Sequence, residues 1–69
     1  MTIHMHTFIG SSMLASCTYD TDSEELVVTF ANGKDYTYID VPRRTYDELI
    51  EAKSAGKYFN LVKSSLTQK

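Results

Sequence analysis

Residues 25–38 most limit what this chain can fold into. Leu26, Val28 and Phe30 alternate with Glu25, Val27 and Thr29, the period-two pattern of a strand with one buried face. Asn32-Gly33 then marks a hairpin, and Tyr36 and Tyr38 take up the alternation again. A two-residue loop would set Phe30 against Asp35 and bury a carboxylate on the apolar face. A three-residue loop, Ala31-Asn32-Gly33, sets Val28 against Tyr36 and Leu26 against Tyr38. A one-residue slip would invert every side chain, so the apolar pattern selects the bulged turn, with Gly33 in the left-handed region.

The flanking segments complete an α+β reading. Residues 13–19 are rich in strand formers, and the polar stretch from Asp20 to Glu24 reads as a turn, because Asp and Ser side chains capture nearby backbone donors. Val41-Pro42 ends the third strand, since proline cannot donate to a ladder, and proline also suits the first turn of a helix. Tyr46, Leu49, Ile50 and Lys53 follow helical spacing from about Arg43 to Lys53. Ser54-Ala55-Gly56 is read as a break with Gly56 as the hinge, and Phe59, Val62 and Leu66 form the apolar stripe of a second helix. Strands precede helices without βαβ alternation. The expectation is therefore a three-stranded antiparallel meander with two short helices packed on one sheet face. Residues 11–66 form the single domain, residues 1–10 an N-terminal arm or extra edge strand, and residues 67–69 a frayed tail.

Composition narrows the functional classes. At 69 residues the chain holds one small core, and its 42% apolar content is too high for a disordered protein. The lone Cys17 has no disulfide partner, no basic and apolar leader opens the sequence, and no apolar run reaches the ~20 residues of a membrane span, so a cytoplasmic protein is expected. The net charge of −2 is unevenly spread: residues 1–42 carry one base, Lys34, against six acids, and residues 43–69 carry six bases against three acids. The helical half alone could attract phosphate.

Ser11-Ser12, Tyr19-Asp20, Phe30-x-x-Gly33, Tyr36-x-Tyr38, Val41-Pro42, Tyr46 and Ser54-x-Gly56-Lys57-Tyr58-Phe59-Asn60, in that order and spacing, resemble the KTSC domain family. The resemblance runs from about Ser11 to Lys63. It implies a short α+β module of the kind found at the C-terminal ends of some lysyl-tRNA synthetases and as small stand-alone bacterial and phage proteins. RNA binding has been suggested for such modules, and the resemblance carries over no catalytic residue.

The residues that could carry chemistry point to binding rather than catalysis. His4 and His6 would share one side of an extended segment, but with Cys17 they lack metal-site spacing, so no metal or other cofactor is expected. Cys17 falls within a strand, where it packs as a small apolar residue, whereas a catalytic thiol needs a neighbouring base or helix N-terminus. The Asp20, Asp22 and Glu24 run lacks the glycine and closing glutamate of a calcium loop. Tyr36 and Tyr38, spaced by two on a strand, fit either the core or a base-stacking platform. Lys53, Lys57, Tyr58, Asn60 and Lys63 fit a contact surface on the helical half. With no phosphate loop, acid pair or triad in the sequence, the chain is expected not to be an enzyme. Its leading reading is a module that docks on a larger protein, for example as a phage-encoded modulator of a host protein; the alternative is an RNA-binding module using the basic half. Homo-oligomerisation through open sheet edges is a further expectation.

Overall fold

The computed structural model describes residues 2–69. Five strands and two helices follow in the order β1 (Ile3–Thr7), β2 (Leu14–Asp20), β3 (Glu25–Phe30), β4 (Asp35–Ile39), α1 (Arg43–Glu51), α2 (Ala55–Val62) and β5 (Thr67–Gln68), with a 3₁₀ turn at Lys63–Ser65 before β5. The sheet is antiparallel throughout and its strands lie in sequence order. The α+β class and the two helices on one face agree with the sequence reading; the strand count does not, five replacing three.

The central hairpin has the expected register, Leu26 opposite Tyr38 and Val28 opposite Tyr36. Its loop closes by Gly33 N–H donating to the Phe30 carbonyl and Phe30 N–H to that of Lys34, with Gly33 at φ +89°. This is a type I turn followed by a glycine bulge. The Asp20 turn also behaves as its composition demands, the Asp20 carboxylate accepting the Asp22 N–H at 2.9 Å.

The two additional strands come from the chain ends. Ile3–Thr7 pairs along β2, so the N-terminal segment is an edge strand. Thr67 and Gln68 pair with Ile39 and Tyr38, and the Lys69 N–H donates to the Thr37 carbonyl, so the tail expected to fray is laid against β4. Such a short strand leaves no periodic signal; tertiary placement of α2 delivers it to an otherwise unpaired edge.

One irregularity organises the core. Cys17 and Tyr19 alternate normally opposite Val28 and Leu26, but Leu14 pairs with Phe30 and Ser16 with Thr29, leaving Ala15 as a bulge. The extra residue shifts the parity, so Leu14 joins Cys17 and Tyr19 on one face. Leu14, Cys17, Tyr19, Leu26 and Val28 are buried there beneath Tyr46, Leu49 and Phe59 of the helices. The Tyr19 ring stacks on Tyr46 at 5.1 Å, and its hydroxyl donates to the Val41 carbonyl at 2.6 Å.

The break between the helices differs from the expected hinge. α1 stops at Glu51, and Ser54 is the N-cap of α2, its hydroxyl accepting the Lys57 N–H. Gly56 therefore lies in the first turn of α2. A Cβ there would sit 3.3 Å from the Cβ and Sδ of Met13, so glycine lets α2 approach the start of β2 closely, and a side chain would require Met13 to give by a few tenths of an ångström. The Arg43–Asp47 and Arg44–Glu48 pairs on α1 are solvent-exposed and contribute little.

Two outcomes follow from this packing. Replacing Gly33 by Ala should lower the urea-unfolding free energy by about 1 kcal/mol or more, because the residue must keep a positive φ. Burial pushes the Cys17 thiol up to about 11 and also raises Tyr19, Tyr38 and Tyr46. In these groups the native state keeps protons that the unfolded chain has released, so stability should fall as pH rises from about 9 towards 11, and the slope should be shallower in Cys17→Ala. Equilibrium unfolding across that range checks both the sign and the share of Cys17.

Candidate functional site

The helical layer does not cover its sheet face completely. Between β3, β4 and α2 lies a cleft of about 320 Å³ lined by Phe30, Tyr36, Tyr38, Phe59, Lys63 and Gln68. The sheet supplies the first three through the hairpin register, because Phe30, Tyr36 and Tyr38 all point to the helix side. The helix supplies Phe59 from its buried stripe, and the 3₁₀ turn brings in Lys63. Gln68 enters through its pairing with Tyr38.

The rings meet edge to face. Phe30 is 5.3 Å from Tyr36 at 82° and 5.6 Å from Phe59 at 75°, and Tyr38 is 5.6 Å from Phe59 at 71°. This is the arrangement that ring quadrupoles favour, and it leaves an apolar floor with polar groups at the rim. Tyr38 is buried and its phenol is raised by that burial, with Tyr36 adding to the effect, whereas Tyr36 is half-exposed. Lys63 is the charged residue of the lining. The cleft can therefore accept an apolar or aromatic group and place a cation beside it.

The proposed binding residues are dispersed. Tyr36, Tyr38 and Lys63 meet in this cleft. Lys53 lines a second one, of about 290 Å³, between the β1–β2 connection and the α1–α2 break, together with His6, Phe8 and Met13. Lys57 is exposed on the first turn of α2. Tyr58 is half-buried and donates to Glu48 at 3.0 Å; burial, then that bond, raises its phenol. Asn60 is exposed and lies 3.8 Å from the Met13 sulfur. Phe30, Phe59 and Gln68 were read as core or tail, and no local signal marks them as cleft residues, since the cleft forms only where sheet, helix and tail converge.

The remaining chemical candidates lie apart from the cleft. His6 pairs with Cys17 across the β1–β2 ladder, and His4 lies 6.3 Å from Tyr46. The Cys17 thiol is buried, and its raised titration keeps it protonated at neutral pH, opposite to a nucleophile's requirement. Among the described residues, no group of three or more His, Cys, Asp or Glu could hold a metal ion, and no helix is long and apolar enough to cross a membrane.

Comparison with known proteins adds the family. The KTSC domain profile matches residues 10–62. An uncharacterised protein of Stutzerimonas stutzeri is 42% identical over 54 residues, 78% of this chain and 76% of its own. A protein of Tsukamurella paurometabola is 33% identical over 52 residues, 75% of this chain and 78% of its own. The crystal structure of a KTSC domain protein from Yersinia pestis superposes with a TM-score of 0.86 at 26% identity, covering 99% of this chain and 96% of that one. A matched profile over most of the chain, with the same fold from end to end, makes this chain a member of the KTSC domain family.

Proposed function

We propose that the protein is a non-catalytic module that docks on a larger protein, using the aromatic cleft to receive an apolar or aromatic side chain. The observation that carries this reading is the ring geometry: a half-exposed Tyr36 caps a floor of Phe30, Tyr38 and Phe59 whose rings stand edge to face. Interface anchors favour such partly open aromatic pockets, in which a partner's side chain is fully desolvated. A single-stranded nucleic acid needs ring faces open for successive bases to stack on. Here the rings contact one another edge to face, and Tyr38 and Phe59 are buried, so little of this aromatic surface is open for successive bases. The sheet face away from the helices, where bases would otherwise lie, displays Met5, Thr18, Val27 and Thr37 in one row across the strands.

Electrostatics favour the same choice. The net charge of −2 opposes a polyanion, and Lys53 and Lys63 line different clefts rather than one groove. The RNA alternative keeps a definite signature. Affinity for RNA would fall steeply with added salt, and the Lys53→Ala, Lys57→Ala, Lys63→Ala triple variant would flatten that slope by about one unit or less per lost contact.

A photo-crosslinking amino acid at position 36 tests the proposal in bacterial lysate with and without ribonuclease. The expected result is a discrete protein adduct at position 36, absent when the same group stands at position 18 on the opposite sheet face. An adduct that ribonuclease removes, together with salt-sensitive binding of a short single-stranded RNA abolished in the folded triple variant, would replace protein docking by RNA binding.

A further inference from the structure

We propose that β1 is a self-association edge, at which two copies of this chain pair their β1 strands antiparallel about a twofold axis at Met5 and join their sheets. This edge is remote from the aromatic cleft, and its backbone hydrogen bonds set what it can do. Thr21 N–H donates to the Thr2 carbonyl, and Phe8 N–H to the Ala15 carbonyl. These bonds bracket the β1–β2 ladder and fix its parity: the even-numbered residues from Thr2 to Phe8 turn their backbone groups inward to β2. Ile3, Met5 and Thr7 consequently turn their N–H and C=O groups outward at the sheet edge. A segment with this many outward donors and acceptors is a template for another strand.

Natural edges are usually blocked by charge, proline or a bulge. β1 reads Ile-His-Met-His-Thr, with no Lys, Arg, Asp, Glu or Pro, and it pairs with β2 without a bulge. Its outward-bonding residues are also the ones whose side chains stand on the uncovered sheet face, where Ile3 is 50% and Met5 72% exposed. The opposite edge is different: β5 is only two residues long and is followed by Lys69, which pairs with Glu25 at 3.2 Å.

A second copy meets these requirements. Centring the axis on Met5 sets Met5 against its own counterpart and Ile3 against Thr7 of the other copy. All the outward groups are then paired, in about six backbone bonds. Ile3 and Met5 of both copies merge into one apolar strip on the uncovered face, and His4 of each copy stands opposite His6 of the other.

Charge selects the direction. Ile3 lies opposite Asp20, so the acidic turn from Asp20 to Glu25 sits at the Ile3 end of the edge. A parallel arrangement would bring the two acidic turns together. The antiparallel one puts them at opposite ends of a five-residue strand, roughly 17 Å long and beyond the ~8 Å Debye length at physiological salt. A chain carrying −2 can therefore meet a like-charged copy at an edge that carries no acidic side chain.

The geometry supplies a selective test, made on the full chain. Because the Met5 N–H points outward, Met5→Pro removes a bond to the second copy while leaving the β1–β2 ladder intact, and Met5→Lys adds a charge at the axis. In light scattering over a dilution series, wild type should reach twice the monomer mass. Both variants should stay at the monomer mass, with far-ultraviolet dichroism unchanged for at least one of them. Under mild oxidation Met5→Cys should give a disulfide-linked dimer, since opposed bonded residues lie ~5.5 Å apart between Cα atoms, whereas Ile3→Cys, ~14 Å from its counterpart, should not. A wild type that stays monomeric throughout the series, a dimer that survives both Met5 variants, or equal crosslinking at Ile3 would overturn the proposal.

Discussion

The contact on which the rest of the molecule depends is made by Tyr19. Its ring lies in the core beneath α1, stacked nearly parallel to Tyr46 at 11°, and its hydroxyl donates to the Val41 carbonyl where the chain leaves the sheet. That carbonyl is buried in a segment with no ladder partner, so an unmade bond would leave it desolvated at a cost of about 1–3 kcal/mol. Val41 is held from the other side too, its N–H donating to the Glu24 carbonyl. Among the described residues, Glu24 at φ 57° and Asp40 at φ 56° are the two non-glycine residues in the left-handed region, and both flank this junction. Backbone strain there is offset by the bonds converging on Val41. The crossing from sheet to helices is thereby fixed, and with it the angle at which α1 and α2 lie over the sheet.

That placement divides the surface into two kinds. On the helix side, packing is tight near Leu14, Cys17 and Leu49 and opens at two places, the aromatic cleft with Tyr36 and Lys63 and the cleft lined by His6 and Lys53. On the other side, the sheet is bare, with a threonine-rich centre and its most exposed apolar groups at the β1 edge. Both helices lie on one face of the sheet, which leaves the other face uncovered. The two functional proposals use the two surfaces separately, one by inserting a side chain and the other by adding strands.

Much of this was legible in the sequence because it follows from parity. The residues from Leu26 to Tyr38 could be assigned to faces, and the glycine bulge inferred, because a one-residue slip buries Asp35. The helices were legible from the spacing of Tyr46, Leu49 and Phe59. The departures come where a local pattern carries no information about its partner. Ala15 interrupts the alternation of β2, and nothing in its neighbours announces a bulge. β1 alternates histidines with apolar residues, so its polarity hides a strand whose histidines face the helices. β5 is two residues laid on the free edge of β4, too short to leave a pattern of its own. Gly56 looked like a helix terminator, yet its role is steric and set by Met13, far away in sequence. The cleft belongs to the same class, since its lining comes from separated elements.

The claim beneath the whole account is that sheet and helices form one cooperative unit clamped at Tyr19, and native-state hydrogen exchange of Tyr19→Phe tests it most directly. With the ring retained and only the hydroxyl removed, the amides of Leu49 in α1 and Val28 in β3 should lose protection by the same factor, roughly tenfold to hundredfold, as one unit opens. Loss confined to α1, with Val28 as protected as in the wild type, would contradict the claim and show a helical layer that opens independently of the sheet.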